Sequence, residues 1–181
     1  VVIGFNAFDD NVNNVQNSLA LSDNGANSVE FVDCGDQLIG AITGSVLAKR
    51  AQGNIDNGNS IIVIGSQTYN GRDVAAQTSV ELNTSVLTNA QSIEIVDGEV
   101  LTTHLIFGGA KIAKAKMKNN NAAIILMKPK STAIQSTEGV TCEVLYVESG
   151  NILNDSQTTK VLSQEKLEVE GVLLEDAKLV V

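Results

Sequence analysis

The residues with the strongest claim to chemistry lie in the stretch SIIVIGSQTYNGRDVAAQTSVELN, residues 60–83. Gly65 and Ser66 follow an apolar run, Thr68 comes next but one, and Gly71-Arg72-Asp73 opens a segment of helical character. Backbone N–H groups at a helix start, the positive end of its dipole and one guanidinium suit a phosphate. The hydroxyls of Ser66 and Thr68 could hydrogen-bond a ribose or a phosphate. A structural reading fits the same residues: any tight strand-to-helix turn favours small polar residues, Asp73 suits a first helical turn, and Arg72 could pair with a nearby carboxylate. Neither the P-loop lysine nor the G-x-G-x-x-G spacing is present. Both readings stay open at this level.

Other reactive residues form no set. His104, the only histidine, falls in an expected strand with no nucleophile, base and orienter to join, and reads as packed or surface-lying. Asp9-Asp10 resembles a carboxylate pair but sits where a helix N-cap is wanted. Cys34 and Cys142 have no metal-ligand spacing and read as a reduced, intracellular pair. No catalytic residue and no metal site can be named, so the chain is not expected to catalyse a reaction of its own. With 12 Lys+Arg against 21 Asp+Glu the net charge is −9, which repels a phosphate backbone and argues against a nucleic-acid partner. No window approaches the roughly 18–20 apolar residues of a membrane span, and no basic segment precedes an apolar one. The expectation is a protein without direct membrane insertion, cytoplasmic, or in the mitochondrial matrix if eukaryotic.

Several elements must position the 65–73 loop. At 181 residues and 43% hydrophobic, the chain can bury one good core. VVIGF (1–5) reads as a strand, Asp9-Asp10 caps a helix ending near Gly25, and SVEFVDCG (28–35) reads as a second strand. In the segment 36–50, Ile39, Ile42 and Val46 share a helical face with Gly40, Gly44 and Ala48 beside it, spacing that would let a helix lie close against a sheet. QGNIDNGN (52–59) reads as a loop. Ile61–Ile64, β-branched and without polar alternation, suits a parallel strand covered on both faces, with its loop at the carboxyl end where such sheets bind ligands. The order βαβαβα predicts an α/β fold with a mostly parallel sheet and helices on both faces.

Beyond Asn83 the pattern changes. Ile93 and Ile95, then Asp97-Gly98, then Val100 and Leu101 predict a hairpin, an antiparallel addition to the sheet. KIAKAKMK (111–118) has a period of two and predicts a lysine-bearing edge strand, whose charges discourage edge-to-edge pairing. AAIILMKP (122–129) predicts a buried strand ending at Pro129. TCEVLYVES (141–149) predicts a half-buried strand, KLEVEGV (166–172) alternates again, and AKLVV (177–181) is a last apolar run.

Together these segments resemble the N-terminal domain of the alpha subunit of electron-transfer flavoproteins. IIVIGSQTYNGRDVAAQTSVELNTSVLTNAQSIEIVDG is similar to that family's strand, its Gly-Arg-Asp helix start and its passage into a strand pair. GEVLTTHLIFGGAKIAKAKMK resembles the segment with an aromatic-x-Gly turn, here Phe107-Gly108-Gly109, and AIILMKPKS the strand ending in a basic-Pro step, here Lys128-Pro129. LLEDAKLVV resembles the stretch that leads into the family's second domain and its Ser-Gly-Gly-Arg-Gly flavin loop. The likeness runs from about residue 55 to the end, while residues 1–54 agree mainly in βα pattern and the family tends to have one more βα unit at the front. Ala76-Gln77 stands where the family has Pro-Arg, and His104-Leu105 where it has Arg-Pro, so both replacements remove positive charge.

The resemblance implies a Rossmann-like three-layer domain, adenine-nucleotide-alpha-hydrolase-like, over residues 1–172, with 173–181 beginning a flavin-binding domain. It implies that FAD is held mainly beyond Val181 and by a beta subunit that also carries AMP. This domain would then scaffold the alpha/beta heterodimer, which takes electrons from flavin dehydrogenases and passes them to an acceptor such as a quinone reductase. Gly65, Ser66, Thr68, Gly71, Arg72 and Asp73 would form a vestigial or weak nucleotide loop. The alternative is a free-standing adenine-nucleotide-binding domain of the same fold that uses this loop.

Overall fold

The computed structural model describes residues 1–5, 18–117, 121–133, 136, 142–152, 160–163 and 165. The expected helix start at Asp9-Asp10, the alternating segment 166–172 and the apolar run 177–181 lie outside them. So does the expected domain boundary at 172–173.

The chain is α/β with mostly parallel pairing. The strands are β1 (Val2–Phe5), β2 (Ser28–Asp33), β3 (Ile61–Ser66), β4 (Val86–Val96), β5 (Glu99–Ile106), β6 (Lys111–Lys116), β7 (Ala122–Met127) and β8 (Glu143–Glu148), with helices α1 (Gly40–Asp56) and α2 (Tyr69–Glu81). Residues 18–23 are also helical, and that helix stops at Gly25 as expected, where the Gly25 N–H donates to Ser22 O at 2.8 Å. The described strands form two sheets, β1-β2-β8 and β3-β7-β4-β5-β6. β1 and β8 flank β2 in parallel, and β3 and β4 flank β7 in parallel. β4, β5 and β6 run antiparallel, which is the predicted addition.

β7 is the most enclosed strand. Ala122–Leu126 are all buried, with Ile124 and Ile125 fully so. A strand covered on both faces needs no polar alternation, which is why AAIILM is apolar throughout. Pro129 lies two residues past its end, and the Lys128 N–H still donates to Ala90 O at 2.9 Å, so the missing proline donor falls outside the ladder. The hairpin turn between β4 and β5 has φ of 53° at Asp97 and 78° at Gly98, the left-handed pair that matches the twist of flanking strands.

Three expectations are corrected. The run Ile61–Ile64 forms a parallel strand, but β3 is the edge of its sheet and Ile64 is 59% exposed; an apolar run alone does not distinguish a central strand from an edge that meets a cleft. α1 starts four residues later than expected and runs through the 52–59 segment as far as Asp56. Of the turn-forming residues there, only Asn57 and Gly58 end the helix, through the Gly58 N–H to Ile55 O at 2.8 Å; Gly53 is tolerated inside it.

The third correction concerns the small residues of α1, which face a helix. Thr78 of α2 is fully buried, its hydroxyl 3.1 Å from Gly44 O and 2.7 Å from Val74 O. Gln77 donates through Nε2 to Glu81 at 2.8 Å and reaches Ser45 at 3.3 Å, while Ser45 also bonds Glu81. Helical spacing of small residues permits close approach without saying what approaches.

That contact is testable. A Cβ on Gly44 would lie 2.8 Å from Val74 O and 2.5 Å from Gln77 Cβ, whereas nothing lies within 4 Å of one on Gly53. Gly44→Ala should lower the unfolding free energy by roughly 1–3 kcal/mol through overpacking. Gly53→Ala should raise it by up to about 1 kcal/mol, the helix-propensity gain. Urea titration of the two variants checks the opposite signs; stabilisation by both would contradict the close packing.

Candidate functional site

The carboxyl end of β3 leads into α2 through Gln67 and Thr68. Thr68 is the N-cap, three residues ahead of the expected helix start at Gly71, and has extended backbone angles of φ −108° and ψ 171°. Its Oγ1 accepts the Gly71 N–H at 3.0 Å, and its carbonyl accepts the Arg72 N–H at 3.0 Å. An N-cap hydroxyl of this kind satisfies one of the donors that a helix leaves free at its start. Gly71 is required here for space, since a Cβ would collide with the carbonyl of Ser66.

The loop is tied to its neighbours. The Gln67 N–H donates to Met127 O at 2.9 Å, and Gln67 Oε1 accepts the Asn89 N–H at 3.1 Å. Asn89 sits at φ 57° within the irregular register between β4 and β7. One glutamine thus links the ends of β3 and β7 to the interior of β4. Sequence reasoning passed over Gln67, which no motif marks.

The six expected residues do not converge. Gly65 and Gly71 line a cleft of about 1030 Å³ that lies between the β1 and β3 edges and is bordered by α1. Ser66, Thr68, Arg72 and Asp73 are not among its lining residues. Arg72 does not pair with a carboxylate among the described residues; its guanidinium carbon lies 5.7 Å from the ring centroid of Tyr69, a cation–π contact. Asp73 falls past the first turn of α2, with its Cβ against Gly40 of α1. A phosphate or flavin cradle needs donors aimed at one point, and only two of these six residues, both glycines, line the cleft.

The other candidates take structural roles. His104 Nδ1 lies 3.0 Å from Thr88 O and its Nε2 lies 2.7 Å from Thr102 Oγ1. A carbonyl only accepts, so Nδ1 carries the proton of the bond to Thr88. The ring therefore joins β4 to β5. Glu30, buried at 6% exposure, is paired with Arg50 across β2 and α1; sequence reasoning missed this pair because the partners lie 20 positions apart with no periodic relation. Among the described residues no three His, Cys, Asp or Glu side chains gather as metal ligands. No helix among them is long and apolar enough to cross a membrane.

Both cysteines are thiols and not joined in a disulfide, Cys34 buried and Cys142 half-buried. Burial pushes the Cys34 thiol above its ordinary range, and the Asp33 carboxylate pushes the same way against a hydrogen bond from Ser149. A raised value means less thiolate at a given pH, and the thiolate is the nucleophile. At pH 8 iodoacetamide should alkylate Cys142 well before Cys34, as read by peptide mass mapping. Equal rates in the folded chain would contradict the burial of Cys34.

The comparisons with known proteins bear on this geometry. A family model described as the electron transfer flavoprotein domain matches residues 10–149, well over half of the chain. Protein FixB from Clostridium saccharobutylicum is 29% identical over 123 residues, which cover 67% of this chain and 36% of FixB. A putative electron transfer flavoprotein subunit, YdiR, from Escherichia coli (strain K12) is 37% identical over 62 residues, or 34% of this chain and 20% of YdiR. The matched part of the chain thus spans about a third of one relative and a fifth of the other. With the family model covering β2 to β8, the strand-end loop and the antiparallel addition, the chain belongs to the electron transfer flavoprotein family.

Proposed function

We propose that this chain is the N-terminal scaffold domain of an alpha-type electron transfer flavoprotein subunit. It joins a beta subunit in a heterodimer that carries electrons from flavin dehydrogenases to an acceptor. The observation that supports this reading best is the spent strand-end loop within a domain of this family. The Gly71 and Arg72 N–H groups are bonded within the loop and the Arg72 guanidinium rests on Tyr69, so binding of the flavin is assigned elsewhere. FAD is then held mainly by a domain that begins near residue 173 and by the beta subunit, which also carries AMP. In the complete protein the FAD supplies the electron-carrying chemistry. This chain's contribution is to fix the ends of β3 and β7 to β4 through Gln67 and to present a rigid surface to its partner.

The alternative, a free-standing nucleotide-binding domain, draws on the cleft beside Gly65 and Gly71. It is the weaker reading because the cationic and hydroxyl residues that would select a phosphate lie off that cleft.

The complete coding sequence, co-expressed with the second subunit of the same electron transfer flavoprotein, provides the test. A yellow complex with the absorbance of an oxidised flavin and the two chains in equal amounts is expected. A colourless chain that purifies alone would overturn the proposal.

A further inference from the structure

Three asparagines in the chain are followed by glycine: Asn24-Gly25, Asn57-Gly58 and Asn70-Gly71. Asparagine is thermolabile through loss of its side-chain amide. A following glycine favours that loss, because a residue without Cβ lets its backbone nitrogen approach the asparagine side chain. All three asparagines are exposed, so exposure does not rank them. The local hydrogen bonds do.

Asn70 lies in the first turn of α2. The Gly71 N–H donates to Thr68 Oγ1 at 3.0 Å, and Gly71 sits against the Ser66 carbonyl, so attack by its nitrogen requires the capped turn to open. Asn24 and Asn57 form a closer pair. Each precedes a left-handed glycine, Gly25 at φ 90° and Gly58 at φ 84°, and each turn is closed by the same two bonds. In the first, the Gly25 N–H donates to Ser22 O at 2.8 Å and the Ala26 N–H to Leu21 O at 3.0 Å. In the second, the Gly58 N–H donates to Ile55 O at 2.8 Å and the Asn59 N–H to Asn54 O at 3.1 Å. Both are Schellman endings of a helix. Their side chains differ: Asn24 Nδ2 donates to Ala20 O at 2.7 Å, whereas no hydrogen bond among the described residues holds the Asn57 amide. A Cβ on Gly58 would meet nothing within 4 Å, so the Asn57 side chain has open space in which to turn.

We propose that Asn57 is a site of spontaneous, irreversible modification in this protein, converting to aspartate and isoaspartate ahead of the other two Asn-Gly pairs. The Gly58 nitrogen, its proton lost to base, bonds to the side-chain carbonyl carbon of Asn57. The bond from that carbon to the amide nitrogen breaks, the nitrogen takes up a proton and leaves as ammonia, and a succinimide ring remains. Water then opens the ring at either carbonyl, and nothing is oxidised or reduced. The new carboxylate stands beside Asp56 at the C-terminal end of α1, where the helix dipole disfavours negative charge, in a chain whose net charge is already −9. Asn57 also lines the cleft between β1 and β3, so the charge falls on its rim. In isoaspartate the main chain runs through the side-chain carbon, which shifts the Gly58 and Asn59 N–H groups off Ile55 O and Asn54 O. The conversion therefore loosens the end of the helix that contributes to both core clusters.

The test incubates the complete protein at mildly alkaline pH, folded and in urea. Peptide mass mapping follows the three pairs over time, and chromatography separates aspartate from isoaspartate. In urea the three should convert at similar rates, since each asparagine precedes glycine. In the folded protein Asn57 should lead Asn24 by about two- to tenfold, the factor that one further hydrogen bond contributes, and should lead Asn70 by at least as much. Asn57→Gln, whose longer side chain closes a ring far more slowly, should abolish conversion at position 57 and leave Asn24 and Asn70 unchanged. Asn57→Asp should lower the melting temperature by roughly 1–4 °C. Conversion of Asn24 or Asn70 as fast as Asn57 in the folded protein would overturn the proposal. So would an Asn57 that converts in urea but survives in the folded protein. An Asn57→Asp variant that melts no lower than the unaltered protein would overturn the loosening of α1.

Discussion

β7 holds the larger sheet together. It follows β6 in sequence yet lies between β3 and β4, hydrogen-bonded in parallel to both. Among the described residues no other pairing joins β3 to the β4-β5-β6 ladder. The strand must therefore be apolar on both faces, and Ile124 and Ile125 have no exposed surface. Burying each of these side chains contributes about 1.5–3 kcal/mol, and a polar residue at either position would be buried among apolar neighbours. Ala48 and Ala51 of α1 and Ala75 of α2 pack with Ile124 and Leu126 in one core cluster. The helices thus close over a strand that the chain reaches only after β6.

The same insertion shapes the strand-end loop. With β7 between them, β3 and β4 do not pair directly, and the Gln67 side chain spans from the carboxyl end of β3 to Asn89 within β4 while its backbone bonds Met127. Thr68 then caps α2 and uses the Gly71 N–H. Near the expected ligand position the Gln67 amide oxygen, the Thr68 hydroxyl and the Gly71 N–H already have structural partners. The position is where parallel sheets place ligands, but the chemistry of the residues there is that of a turn. Fold and function separate at this loop.

Much of the architecture was legible because it rests on local rules. Asp97-Gly98 announced the hairpin, Pro129 bounded the buried strand, and the alternating lysines of 111–116 marked an edge. What could not be read was tertiary. Gly40 and Gly44 showed that something approaches α1 closely, but only the fold reveals it to be α2. Ile61–Ile64 has the composition of a central strand, and its edge position follows from β7, sixty residues later. The division of the described strands into two sheets leaves no trace in local composition. At the candidate site, Thr68 and Gly71 were visible as turn residues, whereas the turning of Arg72 onto Tyr69 depends on side-chain geometry that spacing does not encode. The lost charges at Gln77 and His104 were the better signal: both residues now bridge neighbouring elements, Gln77 between α1 and α2 and His104 between β4 and β5.

A scaffold whose loop binds no cofactor should be indifferent to the cation at that loop. The most direct measurement is the FAD-to-protein ratio, by absorbance, of the complete two-subunit protein carrying Arg72→Ala. The account predicts the same flavin content as the unaltered protein, since the guanidinium contacts only the Tyr69 ring among the interactions of its side chain described here. A marked fall in flavin content, in a variant that melts normally and still pairs with its companion, would contradict it.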